Sequence, residues 1–291
     1  MKQKVVILGG SGFFGSHLAD VLTDKDYAVT IYDLNPSCWL RDGQEMIIGD
    51  VRDEELLSEV IANADHVYHL AGIADIGHAA ENPKETVESN IIGSTNVLEA
   101  CRKSKVKRIL FASTVYVYSQ QGSFYRVSKQ AVEYLIDAYH EKFGLEYTIL
   151  RFGSLYGPRS QEWNGLKRYV MQAVKERRIT YPGTGDERRE YIHVKDAARL
   201  SVEALAPDYA NQCLNLTGSQ VLNSRELLRM IREIMGGQIE LIFEPENRDP
   251  AHYEITPYRF TPRVAYKMLP NLFIDIGQGI LDLVEESFHE K

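Results

Sequence analysis

The chain has 291 residues, 44% hydrophobic and 25% charged, with a formal net charge of -8. That length and balance fit one large α/β domain, or one domain carrying a smaller lobe, with enough chain to bury a sizeable core. The acidic excess argues against a nucleic-acid or membrane-surface partner, since both want a basic face, but leaves room for an anionic small molecule held by a local Arg or Lys cluster.

In chain order, Val5–Leu8 is a compact apolar run ending in glycines, which reads as a first strand rather than a signal peptide. A Gly-rich turn and an amphipathic stretch, Phe14–Leu22, follow it. Ala28–Tyr32 and Met46–Ile48 are the next strands, and Asp53–Ile61 carries a polar helical pattern. His66–Leu70 and Ile109–Phe111 are further apolar runs, separated by a long helical pattern, Pro83–Arg102, with Pro83 suited to a first turn. The basic stretch Arg102–Arg108 reads as the solvated end of that helix, favoured by the macrodipole. Tyr125–Phe143 is helical and Tyr147–Arg151 a strand. Short buried strands alternating with longer helices predict right-handed βαβ units and a doubly wound parallel sheet. Beyond Arg151 the rhythm loosens into loops at Gly157-Pro158, Pro182–Gly185 and Pro245–Pro262, with helices at Ser224–Met235 and Ile276–Ser287. This predicts a smaller lobe packed on the strand ends, where open α/β sheets bind ligands.

Glycines fall at Gly9, Gly12 and Gly15, directly after the first strand and at the opening of the first helix, around Phe13 and Phe14. This context suits a dinucleotide pyrophosphate: a tight turn, close backbone approach and free N–H groups at a helix N-terminus. Asp33 ends the second strand, where a carboxylate accepts from ribose hydroxyls and repels a 2′-phosphate, favouring NAD over NADP. Asp50, before Val51, is placed to accept from the adenine amino group or to begin the next helix, although Arg52 or Asp53 suits the latter role better.

Tyr125 and Lys129 are four residues apart on a helix, so phenol and ammonium share one face. A neighbouring ammonium and the nicotinamide cation both favour the phenolate and make Tyr125 a usable acid/base. The strand before them ends in Ser113 and Thr114, and Thr114 is placed to hydrogen-bond a reacting hydroxyl or carbonyl.

With these motifs assembled, the chain resembles the extended short-chain dehydrogenase/reductases, the family of nucleotide-sugar epimerases and dehydratases. The resemblance covers nearly the whole chain. It runs through Gly9–Gly15, Asp33, Gly49-Asp50, His69-Leu70-Ala71-Gly72, Asn90, Ser113-Thr114 and Tyr125…Lys129, then Arg151 to Arg159 and Gly183 to Asp196. It implies a Rossmann-type fold, with an NAD-binding domain over residues 1–152 and mainly a nucleotide-sugar lobe over 153–291, from which segments around 188–215 return to the sheet. It also implies Thr114, Tyr125 and Lys129 as catalytic residues and Leu70, Ala71, Gly72, Asn90 and Val51 among the cofactor contacts, with Tyr125 and Lys129 contacting the cofactor as well. Ser154 would border the sugar nucleotide, and Arg189 and Arg248 would bind its phosphates, as a planar guanidinium fork suits. Tyr181, Trp163 and Tyr253 are candidates for stacking on base or sugar.

Three departures narrow the reading. Ser154 stands where the family usually has Asn. The segment between Tyr118 and Tyr125 is shorter than usual. Val115-Tyr116 replaces the Asp-Glu pair of sugar 4,6-dehydratases, and the Glu of decarboxylating relatives is also missing. The expected activity is therefore NAD-dependent 4-epimerisation of a nucleotide-diphosphate sugar, as in UDP-glucose 4-epimerase. A 4-ketoreductase is the alternative, and a non-enzymatic NAD-binding regulator a more distant one. The resemblance further implies a homodimer through the two long helices, with Ile91, Val97, Leu98, Ala131, Leu135 and Ala138 as apolar surface. Cys38, Cys101 and Cys213 are far apart, which disfavours disulfides or a metal site and fits a reducing, cytoplasmic setting. No apolar stretch is long enough to span a bilayer.

Overall fold

A computed structural model of the chain describes residues 2–247, 252–256 and 265–289. The strands are β1 (Lys4–Leu8), β2 (Ala28–Asp33), β3 (Gln44–Ile48), β4 (His66–His69), β5 (Arg108–Thr114), β6 (Tyr147–Phe152), β7 (Ser154–Tyr156), β8 (Arg178–Tyr181), β9 (Arg188–His193), β10 (Gln212–Leu216), β11 (Val221–Asn223), β12 (Glu240–Phe243) and β13 (Ala265–Lys267). The helices are α1 (Phe13–Asp24), α2 (Glu54–Ile61), α3 (Ile76–Glu81), α4 (Pro83–Thr86), α5 (Gly93–Ser104), α6 (Ser123–Phe143), α7 (Gly165–Glu176), α8 (Val194–Glu203), α9 (Ser224–Ile234) and α10 (Ile276–His289).

Eight strands form one sheet in the order β13-β10-β6-β5-β4-β1-β2-β3, every neighbouring pair parallel. The apolar runs of the sequence become its buried strands, because a parallel sheet covered on both faces needs no polar alternation. One face packs on α2, α5 and α6, with Leu57, Leu98 and Ile136 fully or almost fully buried. The other packs on α1 and α8, through Leu18, Leu22 and Leu200. The strand order reverses between β1 and β4, so the turns leaving those two strands flank the crevice where such sheets bind ligands.

Val97 and Leu98 correct one expectation. Both are 0% exposed and belong to the core beneath the sheet, so they face inward, not toward a partner. The outer faces of the long helices instead expose Ile92, Val127 and Tyr134. The long pattern from Pro83 is helical through Ser104, but its middle, Val87–Ile92, is a π-helix.

The lobe holds two small sheets, β11-β9-β7 and β12-β8, packed with α7, α9 and α10 around Leu166, Val170, Leu227 and Leu283. The return to the main sheet runs through α8 and β10, while β9 stays in the lobe. β13 also returns, as the outermost strand beside β10, a crossing that three residues of sequence gave no reason to expect. Among the described residues no helix is long and apolar enough to cross a membrane.

Candidate active site

A cleft of ≈ 830 Å³ opens between the carboxyl ends of the central strands and the lobe. Its sheet end is shaped by glycines. A Cβ on Gly9, at φ +84°, would lie 2.7 Å from the Ala71 nitrogen, and one on Gly15 would lie 2.4 Å from the Gly9 carbonyl oxygen. Gly12 caps α1 with no side-chain hydrogen bond, whereas Asp53 caps α2 by accepting from the Leu56 N–H. The first helix therefore presents uncapped N–H groups to the cleft beside Phe13 and Phe14, the arrangement a pyrophosphate requires.

Asp33 lines the same end. Its Oδ2 accepts from the Ser11 N–H at 3.0 Å and its Oδ1 from the Asn35 N–H at 3.1 Å, which fixes a carboxylate at the tip of β2. Asp50 is gripped by Arg52 through Nε and Nη2, and those hydrogen bonds hold its carboxyl below the usual range. Val51, Leu70, Ala71 and Gly72 also line the cleft. Asn90 does not. It sits within the π-helix, 3% exposed, where its Oδ1 accepts from the Ile73 N–H at 2.7 Å. Its Nδ2 donates to the Ile73 carbonyl and to Ser128 Oγ, both at 2.9 Å. Asn90 thus ties the loop after β4 to helix α6, between Tyr125 and Lys129.

Thr114, Tyr125 and Lys129 come together in the middle of the cleft. Thr114 ends β5 and hydrogen-bonds Tyr125, and Lys129 Nζ donates to the Ala112 carbonyl at 2.8 Å while lying 5.9 Å from the Tyr125 ring centroid. Burial pulls the Lys129 ammonium down to about 8, with Glu133 opposing. Burial also pushes the Tyr125 phenol up to about 12, with the Thr114 hydrogen bond opposing. The sequence suggested that Lys129 and the nicotinamide cation would together favour the phenolate. Among the influences of the protein itself, desolvation is the largest on both groups and favours their neutral forms.

The lobe end is aromatic. Ser154 and Arg189 line it, as expected. Burial opposes the Arg189 charge, and Tyr116, Tyr191, Tyr253 and Tyr181 surround the guanidinium. The ring of Tyr253 lies 5.1 Å beneath that guanidinium and 4.6 Å from the ring of Tyr116. Tyr181 is held in the lobe core by Ser224 Oγ at 2.8 Å, and Trp163 stands at the mouth, 48% exposed. Arg248 lies outside the described residues.

Sequence reasoning passed over several lining residues. Tyr116 turns over Tyr125, with ring centroids 6.3 Å apart, and its hydroxyl is 2.7 Å from His252 Nδ1. Asn164 caps α7 by accepting from the Lys167 N–H. The short segment before α6 folds as a tight turn against Tyr116, where a Cβ on Gly122 (φ +93°) would lie 2.7 Å from Cδ1 of that ring. Only the departure at Tyr116, already visible as a substitution for a dehydratase Glu, offered a signal.

A model of the NAD dependent epimerase/dehydratase family matches residues 5–216. Among curated proteins, the putative UDP-glucose 4-epimerase of Methanocaldococcus jannaschii is 27% identical, covering 82% of this chain and 85% of that one. The UDP-glucose 4-epimerase of Corynebacterium glutamicum is 29% identical, covering 86% of each. The UDP-N-acetyl-alpha-D-glucosaminuronate decarboxylase of Bacillus cytotoxicus is 27% identical over 89% of each. Among solved structures, the Bacillus cereus UDP-glucuronic acid 4-epimerase in complex with UDP-glucuronic acid and NAD superposes with a TM-score of 0.88. It is 22% identical and covers 99% of this chain and 100% of that one.

Proposed function

The chain belongs to the NAD dependent epimerase/dehydratase family, and from that premise we propose that it epimerises a nucleotide-diphosphate sugar at C4 through a 4-keto intermediate. The observation that supports this reading is the continuity of the cleft. One cavity joins the glycine-shaped end, the Thr114–Tyr125–Lys129 group and Arg189. Relatives named as UDP-glucose 4-epimerases favour the same chemistry and a UDP-sugar as substrate.

Gly9, Gly12, Gly15 and the N–H groups opening α1 would hold the pyrophosphate of NAD, and Asp33 would accept from the adenosine ribose. When bound, NAD would supply a hydride acceptor and donor for C4 and a positive charge that would favour the Tyr125 phenolate. Tyr125 removes the proton of the C4 hydroxyl and later restores it. Thr114 holds the C4 oxygen by hydrogen bonding. Lys129 keeps a positive charge beside the phenol and would hold the nicotinamide ribose. Arg189 pairs with the diphosphate and positions the sugar from a distance, so binding energy remote from C4 orders the reacting end. Ser154 borders the sugar. The same reading makes the protein a cytoplasmic homodimer, formed through the outer faces of the α4–α5 helix and α6 around Ile92, Val127 and Tyr134. A monomer in sedimentation at micromolar concentration would remove that part.

Proton NMR of the purified protein with UDP-, GDP-, CDP- and dTDP-sugars, with no cofactor added, tests the reaction. A new anomeric signal from a C4 epimer is expected with one nucleotide class. Turnover of a 4-keto sugar only on addition of NADH or NADPH would replace epimerisation by ketoreduction. No turnover in either format would favour a non-catalytic role.

A further inference from the structure

Behind the catalytic residues lies a buried polar network that the reaction scheme leaves unused. Glu133 is one helical turn beyond Lys129 on α6, so the two share a face. Its Oε1 accepts from Ser113 Oγ at 2.5 Å and from Arg151 Nε at 2.9 Å, and its Oε2 accepts from Arg151 Nη2 at 2.6 Å. Arg151 Nη1 donates to the Tyr118 hydroxyl at 2.5 Å, and that hydroxyl donates to Asn215 Oδ1 at 3.1 Å. Arg151 is 2% exposed and Glu133 5%. The network joins β5, the turn after it, β6, β10 and α6, the elements that support Thr114, Tyr125 and Lys129.

A buried ion pair of this kind rarely repays its desolvation in stability alone, and an apolar pair of equal volume would fill the space as well. Its placement suggests another use. Lys129 is surrounded by the Ala112 carbonyl and the Phe111 ring from β5, by His69 from β4, and by Tyr125 and Glu133 from its own helix. Burial holds His69 neutral, down to about 3. Glu133 is the negative group that acts on Lys129, while Arg151 is turned away behind that carboxylate. Ser113 precedes Thr114, so the Ser113–Glu133 hydrogen bond also ties the end of β5 to the helix that carries Tyr125.

We infer that Glu133, clamped by Arg151, is a positioning residue for the catalytic pair: it places a carboxylate one helical turn from the Lys129 ammonium and, through Ser113, fixes Thr114 relative to Tyr125. The inference rests on the proposed roles of Tyr125 and Lys129. Glu133→Gln removes the negative charge but leaves Arg151 buried without its partner, so the double variant Glu133→Gln/Arg151→Met accompanies it to keep the core neutral and filled.

The test combines two measurements on the NAD-loaded protein. The first follows the Lys129 side-chain carbon by NMR in [13C]lysine-labelled protein, assigned with Lys129→Arg, as pH is raised. The second is the pH profile of kcat. Removing the carboxylate should move the Lys129 titration and the alkaline limb of kcat to lower pH together. A displacement of one pH unit lowers kcat about tenfold on that limb. Activity near pH 6.5 and KM should change far less. An unmoved Lys129 titration in a folded variant overturns the inference, and so does failure of both variants to fold, which would assign the network to the fold alone. Absence of turnover in the unmodified protein would instead count against the epimerase reading, while the NMR titration would still decide the role of Glu133.

Discussion

The two ends of the cleft are built on different principles. The sheet end rests on strands buried on both faces, and backbone and glycines do most of the shaping there, at Gly9, Gly15 and the uncapped start of α1. The lobe end is shaped by large side chains on strands of three to six residues and connecting segments, with Arg189 enclosed by tyrosines. A site made of backbone tolerates changes in sequence but not in fold, and suits a ligand that does not vary. A site made of side chains can be re-cut by single substitutions, and suits the ligand on which relatives differ. The difference teaches that cofactor and substrate recognition can be perturbed separately.

The sharpest way to separate them is Tyr125→Phe. Loss of the acid/base should lower kcat by ~10²–10⁴-fold while bound NAD, read from absorbance of the denatured supernatant, stays unchanged. Loss of NAD along with activity would mean that Tyr125 serves the sheet end as well. Next in size is Arg189→Met. Removing charge-assisted hydrogen bonds worth about 1.5–3 kcal/mol should raise KM for the nucleotide sugar roughly 10- to 150-fold, with NAD content intact. A KM within twofold of the unmodified protein would show that the diphosphate lies elsewhere.

Acid should act on the seam between the regions. His17 on α1 meets the Pro158 carbonyl at 2.9 Å, and His193 at the end of β9 lies 3.7 Å from Asp282 of α10. Burial holds both down to about 4. The unfolded chain takes up these protons near pH 6.5, so their contribution to stability is complete above that value and is lost as pH falls toward 4. The Tm should drop between pH 7 and pH 5, and a flat profile would contradict the burial of both rings. Smallest is Asn223→Ala, which removes the capping box of α9 with Glu226. It should cost about 1 kcal/mol in chemical denaturation, felt in the lobe and without effect on NAD content.

The same contrast explains what the sequence disclosed. The sheet was legible because Val5–Leu8, Ala28–Tyr32 and Tyr147–Arg151 are unbroken apolar runs, and the cofactor end because its glycines must sit at fixed spacing after a strand. β7, β11 and β13 have three residues each, too few for any periodicity to declare itself. The π-helix leaves no mark in residue type. Asn90 lies within it as an internal clamp outside the cleft lining, which the resemblance alone would not reveal. Tyr116 and Glu133 lie at readable positions, two residues after Thr114 and four after Lys129. Their significance depends on what faces them from β6 and the segment around His252, and that is tertiary information.

The outermost strand bears on how the chain is made. β10 is complete at Leu216, yet its neighbour β13 begins only at Ala265. During synthesis at ~5–20 residues per second, the intervening roughly 50 residues take several seconds to emerge. For that interval β10 has an open edge, a row of unpaired N–H and C=O groups able to recruit a strand from another nascent chain. The last strand therefore seals the sheet against self-association, and truncation before residue 265 should yield aggregates even though every residue of the catalytic group is already in place.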